Sequence, residues 1–120
     1  MQIVINSDKN IKMHAKLSGL IEDNLHRTLE RFDPHLTRIE VHLTDENGDK
    51  SGTRDKRCIL EARPKRRRSL TVTNDAADLQ IAVSGAAGKL LRLLETTFGR
   101  LADKHRGETT RIVPAPLPAD

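Results

Sequence analysis

"LTRIEVHLT", residues 36–44, alternates cleanly from Arg38 onward: Ile39, Val41 and Leu43 fall on one side, Arg38, Glu40 and His42 on the other. A period of two makes this a strand with one face buried and the other in water. A turn-rich stretch with two glycines follows, "DENGDKSGTRD" at 45–55, and the alternation then resumes over 56–63 with Cys58, Leu60 and Ala62 inward. After "PKRRR" (64–68) turns the chain, Leu70 and Val72 point inward from a further strand. Toward the N-terminus, residues 2–6 place Ile3 and Ile5 on one side and read as the first strand.

Between the first two strands the period changes. Over 12–32 the residues Leu17, Ile21, Leu25, Leu29 and Phe32 recur every three or four positions, the spacing of an amphipathic helix. Asp33-Pro34 is expected to end it, because the residue before proline disfavours helical backbone. A second helix is expected over about 75–103, with a stripe of Leu79, Val83, Ala86, Ala87, Leu90, Leu94, Thr97, Phe98 and Leu101. The order is β-α-β-β-β-α, with an apolar face on each helix. This predicts an α+β domain over 1–103, a four-stranded sheet with both helices packed on one face. Residues 104–120 include the aperiodic, proline-rich "GETTRIVPAPLPAD" and are expected to be a disordered tail.

The chain has 120 residues, 32% of them charged, and its apolar runs are too short to span a bilayer. Its opening "MQIVINSD" reads as a strand and not as a secretory signal, so a cytoplasmic protein is expected, with no membrane partner. The single cysteine, Cys58, fits a reducing compartment. The net charge of +4 is a modest attraction for polyanions. Phe32 and Phe98 are the only aromatic residues besides histidine, so base stacking has almost nothing to work with. Any RNA binding should run through phosphates and shape.

The positive charge is grouped. On the first helix Lys12, Lys16, Arg27 and Arg31 share an arc of roughly 100°, and on the second Lys89, Arg92, Arg100 and Lys104 share one of roughly 120°. Lys65, Arg66, Arg67 and Arg68 crowd one hairpin tip. Either stripe alone reads as a solvated helix face, and the tip as a solvated turn or a targeting run. Two stripes on helices that share one sheet face are expected to make a continuous basic surface, one suited to a polyanion.

Other chemistry fits poorly. Asp45, Asn47 and Asp49 have the alternate spacing of a calcium loop, but Lys50 and Lys56 stand where glycine and glutamate belong. The five histidines lack zinc spacing, and Cys58 on an apolar strand face has no base beside it. No nucleophile elbow or phosphate-binding glycine loop occurs. The expectation is a binding protein with no catalytic residues, cofactor, metal or small-molecule substrate.

The element order, the opening "MQIVIN", the junction "RFDPHLTRIEVHL" (31–43) and the helix "DLQIAVSGAAGKLLRLL" (78–94) together resemble the hibernation-promoting factor family. That family includes the ribosome-associated translation inhibitors, once called sigma-54 modulation proteins, and the resemblance covers roughly residues 1–102. It implies a fold similar to double-stranded RNA-binding domains. The function implied is that of a non-enzymatic factor on the small ribosomal subunit and its rRNA. Such a factor docks between head and body, overlaps the messenger and tRNA sites, and silences idle ribosomes in stress or stationary phase. The family's second-helix pattern falls here on Asp78, Ala82-Val83 and Lys89-Leu90-Leu91-Arg92, which makes Lys89 and Arg92 the leading rRNA contacts. On the first helix, Arg27 ahead of Phe32 matches a basic family position. Where members often carry further lysines this chain has Glu95, Thr96 and Thr97, and Ser84 and Gly88 replace common acidic residues. Lys65, Arg66, Arg67, Arg68 and Arg100 are expected to supply charge there, alongside Lys16 and Arg31.

The resemblance further implies a short-type member, monomeric off the ribosome, without the dimerising domain of long members. Two other readings stand beside it: a general binder of duplex RNA, and a protein-interaction module that modulates transcription. The first predicts affinity for any duplex of about 16 base pairs. The second predicts no salt-sensitive RNA binding.

Overall fold

The computed structural model describes residues 1–45 and 55–109, with side-chain surroundings as far as residue 99. Strand β2 (Leu36–Asp45) contains the alternating stretch, and its inward Ile39, Val41 and Leu43 are at most 1% exposed. Strand β3 (Lys56–Pro64) pairs antiparallel with it and sets Ala62, Leu60 and Cys58 opposite those three residues. Strand β4 (Leu70–Ala76) lies antiparallel on the far side of β3. Strand β1 (Gln2–Ser7) lies parallel to β2, so the sheet order is β1-β2-β3-β4. A parallel pair needs a long crossover. Helix α1 (Ala15–Thr28) and a 3-10 helix at Glu30–His35 supply it.

The architecture is the expected α+β order, β-α-β-β-β-α, with α1 and α2 (Leu79–Thr109) on one sheet face. On that face Ile21, Leu25, Leu29 and Phe32 from the crossover and Val83, Leu90 and Leu94 from α2 share one core with the inward strand residues. Ala82, Ala86 and Ala87, all buried, keep α2 close to β3 and β4. Each large apolar side chain so enclosed contributes about 1.5–3 kcal/mol.

Several boundaries differ from those expected. His14 caps α1 in extended geometry, its Nδ1 accepting the Leu17 N–H at 3.2 Å. The helix therefore starts at Ala15, and Lys12 precedes it and is no part of its basic stripe. Asp33-Pro34 is not the stop either. The α-helix ends at Thr28, and Pro34 sits inside the 3-10 helix that still buries Phe32. At the other end, β4 continues through Ala76, because Asp75 faces Arg57 across the strands at 2.8 Å. Asp78 then caps α2, its Oδ1 accepting the N–H groups of Gln80 and Ile81 at 2.8 and 3.2 Å. Helix α2 runs on to Thr109, past the expected end near 103. The calcium-like spacing at 45–49 falls, beyond Asp45, outside the described residues, as do 110–120 of the expected tail.

Candidate nucleic-acid interface

Helices α1 and α2 lie side by side and advance in the same direction. Asn24 Nδ2 donates to Ser84 Oγ at 3.1 Å, and further along Arg31 pairs with Glu95. Between them runs a groove whose walls include Arg27, Thr28, Glu30, Arg31, Leu91 and Glu95. Lys16 and Arg27 are exposed on α1. Arg31 lies in the 3-10 helix, its charge answered by Glu95 and its guanidinium 5.3 Å from the Phe32 ring centre.

On α2 the two leading candidates diverge. Lys89 reaches down the flank, and its Nζ donates to the Thr73 carbonyl of edge strand β4 at 2.8 Å. Arg92 is exposed, with Nη1 lying 3.8 Å from where a side chain at Gly88 would begin. Arg100 belongs to the α2 backbone, but its side chain lies outside the described residues. The helical layer is thus not uniformly basic, because Glu30 and Glu95 sit in the groove between the two stripes.

Lys65, Arg66, Arg67 and Arg68 are exposed on the hairpin between β3 and β4. The Lys65 N–H donates to the His35 carbonyl at 3.0 Å, and the Arg67 guanidinium stands 5.4 Å from the Phe98 ring centre. Phe98 also stacks on Phe32 at 5.7 Å and touches His35 at 5.0 Å. Sequence reading assigned Phe98 to the core stripe; its role in seating the basic hairpin needed the tertiary contact.

The opposite sheet face has a different electrostatic character. Arg38 meets Glu40 at 2.7 Å, Arg63 lies 3.9 Å from Glu40 and 4.0 Å from Glu61, and Arg57 is paired with Asp75. The ligand atoms of Glu40, His42 and Glu61 come within 4.8 Å of one another, a grouping across two strands that spacing along the chain does not reveal. Two guanidinium groups already answer its two carboxylates. Each sheet-face arginine therefore has a carboxylate within reach. Lys16, Arg27, Arg66, Arg67, Arg68, Lys89 and Arg92 form no ion pair with a described side chain. Cys58 is buried in the core, and burial pushes its thiol pKa up to about 12, far from a working nucleophile.

Two polar residues of α2 join the helices: Ser84 accepts the Asn24 amide, and Glu95 holds Arg31. Among solved structures, the chain is similar to the N-terminal domain of Protein Y from Thermus thermophilus, with 18% identity and a TM-score of 0.66 over 81% of this chain and 99% of that one. It is also similar to a ribosomal subunit interface protein from Coxiella burnetii, with 15% identity and a TM-score of 0.68 over 81% of this chain and 97% of that one. At those identities the likeness concerns the fold. No curated protein gives a significant match. The model of the sigma 54 modulation protein / S30EA ribosomal protein family matches residues 4–102, most of the chain. The chain belongs to that family of ribosome-associated, non-enzymatic binding proteins.

Proposed function

We propose that the protein binds the small ribosomal subunit in the mRNA and tRNA decoding channel and inhibits translation in stress or stationary phase, as a cytoplasmic monomer that grips rRNA through the helical side of its fold. The observation that carries this reading is the asymmetry of charge. Described arginines on the sheet face have carboxylates within reach, whereas Lys16, Arg27, Lys89, Arg92 and the hairpin cations form no ion pair with a described side chain. With so few aromatics, the anions they meet are phosphates and recognition follows shape.

Sedimentation with purified small subunits tests it. Binding is expected at moderate salt, to be reduced by messenger and initiator tRNA, and to fall on the order of a thousandfold from low to moderate salt if about six phosphates are neutralised. Lys89→Ala with Arg92→Ala should weaken binding and flatten the salt slope by about two contacts. An unchanged slope removes both residues from the interface. Binding to any duplex RNA without preference for the subunit would favour a general RNA binder.

A further inference from the structure

The hairpin and α2 enclose a second cleft, lined by Pro64, Arg66, Arg67, Arg68, Leu70 and Thr97. Its floor is apolar, since Pro64 is buried and Leu70 partly so. Its rim has three arginines and a hydroxyl-bearing side chain, and among the described residues no carboxylate lines it, in contrast to the groove containing Glu30 and Glu95. Such a set suits a ligand with several acceptor oxygens and more than one negative charge. Guanidinium forks match phosphate oxygens in pairs, and an apolar floor strengthens that attraction by thinning the water around it.

The backbone points the same way. Arg66 has φ 61°, the left-handed region that glycine or asparagine usually fills in a turn. An arginine there sits against the conformational preference of the chain, a cost met elsewhere in the fold. The turn is also held at both shoulders, by the Lys65 N–H on the His35 carbonyl and by Arg67 over Phe98. Arg66 and Arg68 therefore project from a supported turn, so less order must be created on binding.

We propose that this cleft is a phosphate-binding site. Arg66 and Arg68 donate to the phosphate oxygens, Thr97 adds a hydroxyl donor from the α2 wall, and Arg67 is a positioning residue that holds the turn on Phe98. The site does not depend on the helix faces, and the phosphate comes from an RNA backbone or from the terminal groups of a free nucleotide.

The test is a titration of the full-length, isotope-labelled chain, following backbone amide resonances of residues 66–68 and 97. Two probes are used: inorganic pyrophosphate, and a duplex RNA without terminal phosphates. Pyrophosphate is expected to move these amides. Arg66→Gly and Arg68→Gln should each weaken it about tenfold, equivalent to about 1.4 kcal/mol. Arg66→Gly should at the same time leave thermal stability equal or higher, because glycine relaxes the turn. Arg67→Ala should lower stability and affinity together.

Movement of the same amides by the RNA identifies backbone phosphates as the source. Saturation by pyrophosphate with no movement by RNA identifies a small phosphorylated ligand. Tip amides unmoved by millimolar pyrophosphate, or full affinity in both Arg66→Gly and Arg68→Gln, would overturn the site. Because pyrophosphate binding needs no ribosome, that failure is distinct from failure of small-subunit binding.

Discussion

Asn74 shows how one side chain sets a limit on its neighbour. Its Nδ2 donates to the Ala82 carbonyl at 3.2 Å, which ties β4 to the first turn of α2. A Cβ on Gly85 would come within 2.2 Å of that nitrogen, so any larger residue at 85 requires the Asn74 side chain to move. Gly85→Ala should therefore displace Asn74 and lose the bond, a cost of about 1–3 kcal/mol that outweighs the gain in helix propensity. In an Asn74→Ala background the same substitution should instead stabilise, by up to about 1 kcal/mol. Urea midpoints of the four proteins decide it, and strict additivity would refute the account. This constraint was not legible in the sequence, where Gly85 is one more small residue in "SGAAG" (84–88).

At the scale of elements, the junction between α1 and α2 carries both stability and charge. The Arg31–Glu95 pair is partly exposed at both ends, 39% and 42%. Pairs of this kind contribute about 0–1 kcal/mol, so folding does not depend on it. On the proposed rRNA interface its effect should be larger, because it places a carboxylate among the cations. Glu95→Gln should leave the unfolding midpoint nearly unchanged and raise small-subunit affinity, because it removes a carboxylate from the groove beside Arg27. An affinity identical to the parent's would place the groove outside the interface. The apolar stripes behind this junction were plain in the periodicity, but the element ends were not. His14 as a cap, Asp75 held in a strand by Arg57, and Pro34 inside a 3-10 helix all depend on particular hydrogen bonds or ion pairs and not on pattern.

Across the whole molecule, the amino terminus is fastened to the far end of the crossover. The Met1 ammonium lies 2.7 Å from Asp33 Oδ1, and this hydrogen bond holds the Asp33 carboxyl below its ordinary range. A carboxyl depressed in the folded state stabilises fully above its unfolded pKa, and that share is lost as pH falls through the lower folded value. Asp33→Asn should thus be less stable than the parent at neutral pH, and the difference should close as pH drops below about 4. Paired unfolding curves from pH 7 to pH 2 would measure it. A gap that persists at the acid end would mean that packing, not charge, is what the substitution removed.

The fold class was readable from the chain because period two and period 3.6 each commit one face to the core, and short turns leave few ways to pair three successive strands. The concentration of positive charge was readable too. Its division was not. Arg57 meets Asp75 and Arg63 comes within reach of Glu40 only once β2, β3 and β4 are in register, while Arg66 and Arg68 come to share a cleft with Thr97 only when the hairpin folds onto α2. Periodicity reports which side of its own element a residue faces. Which charge is answered depends on distances across elements, and packing alone sets those.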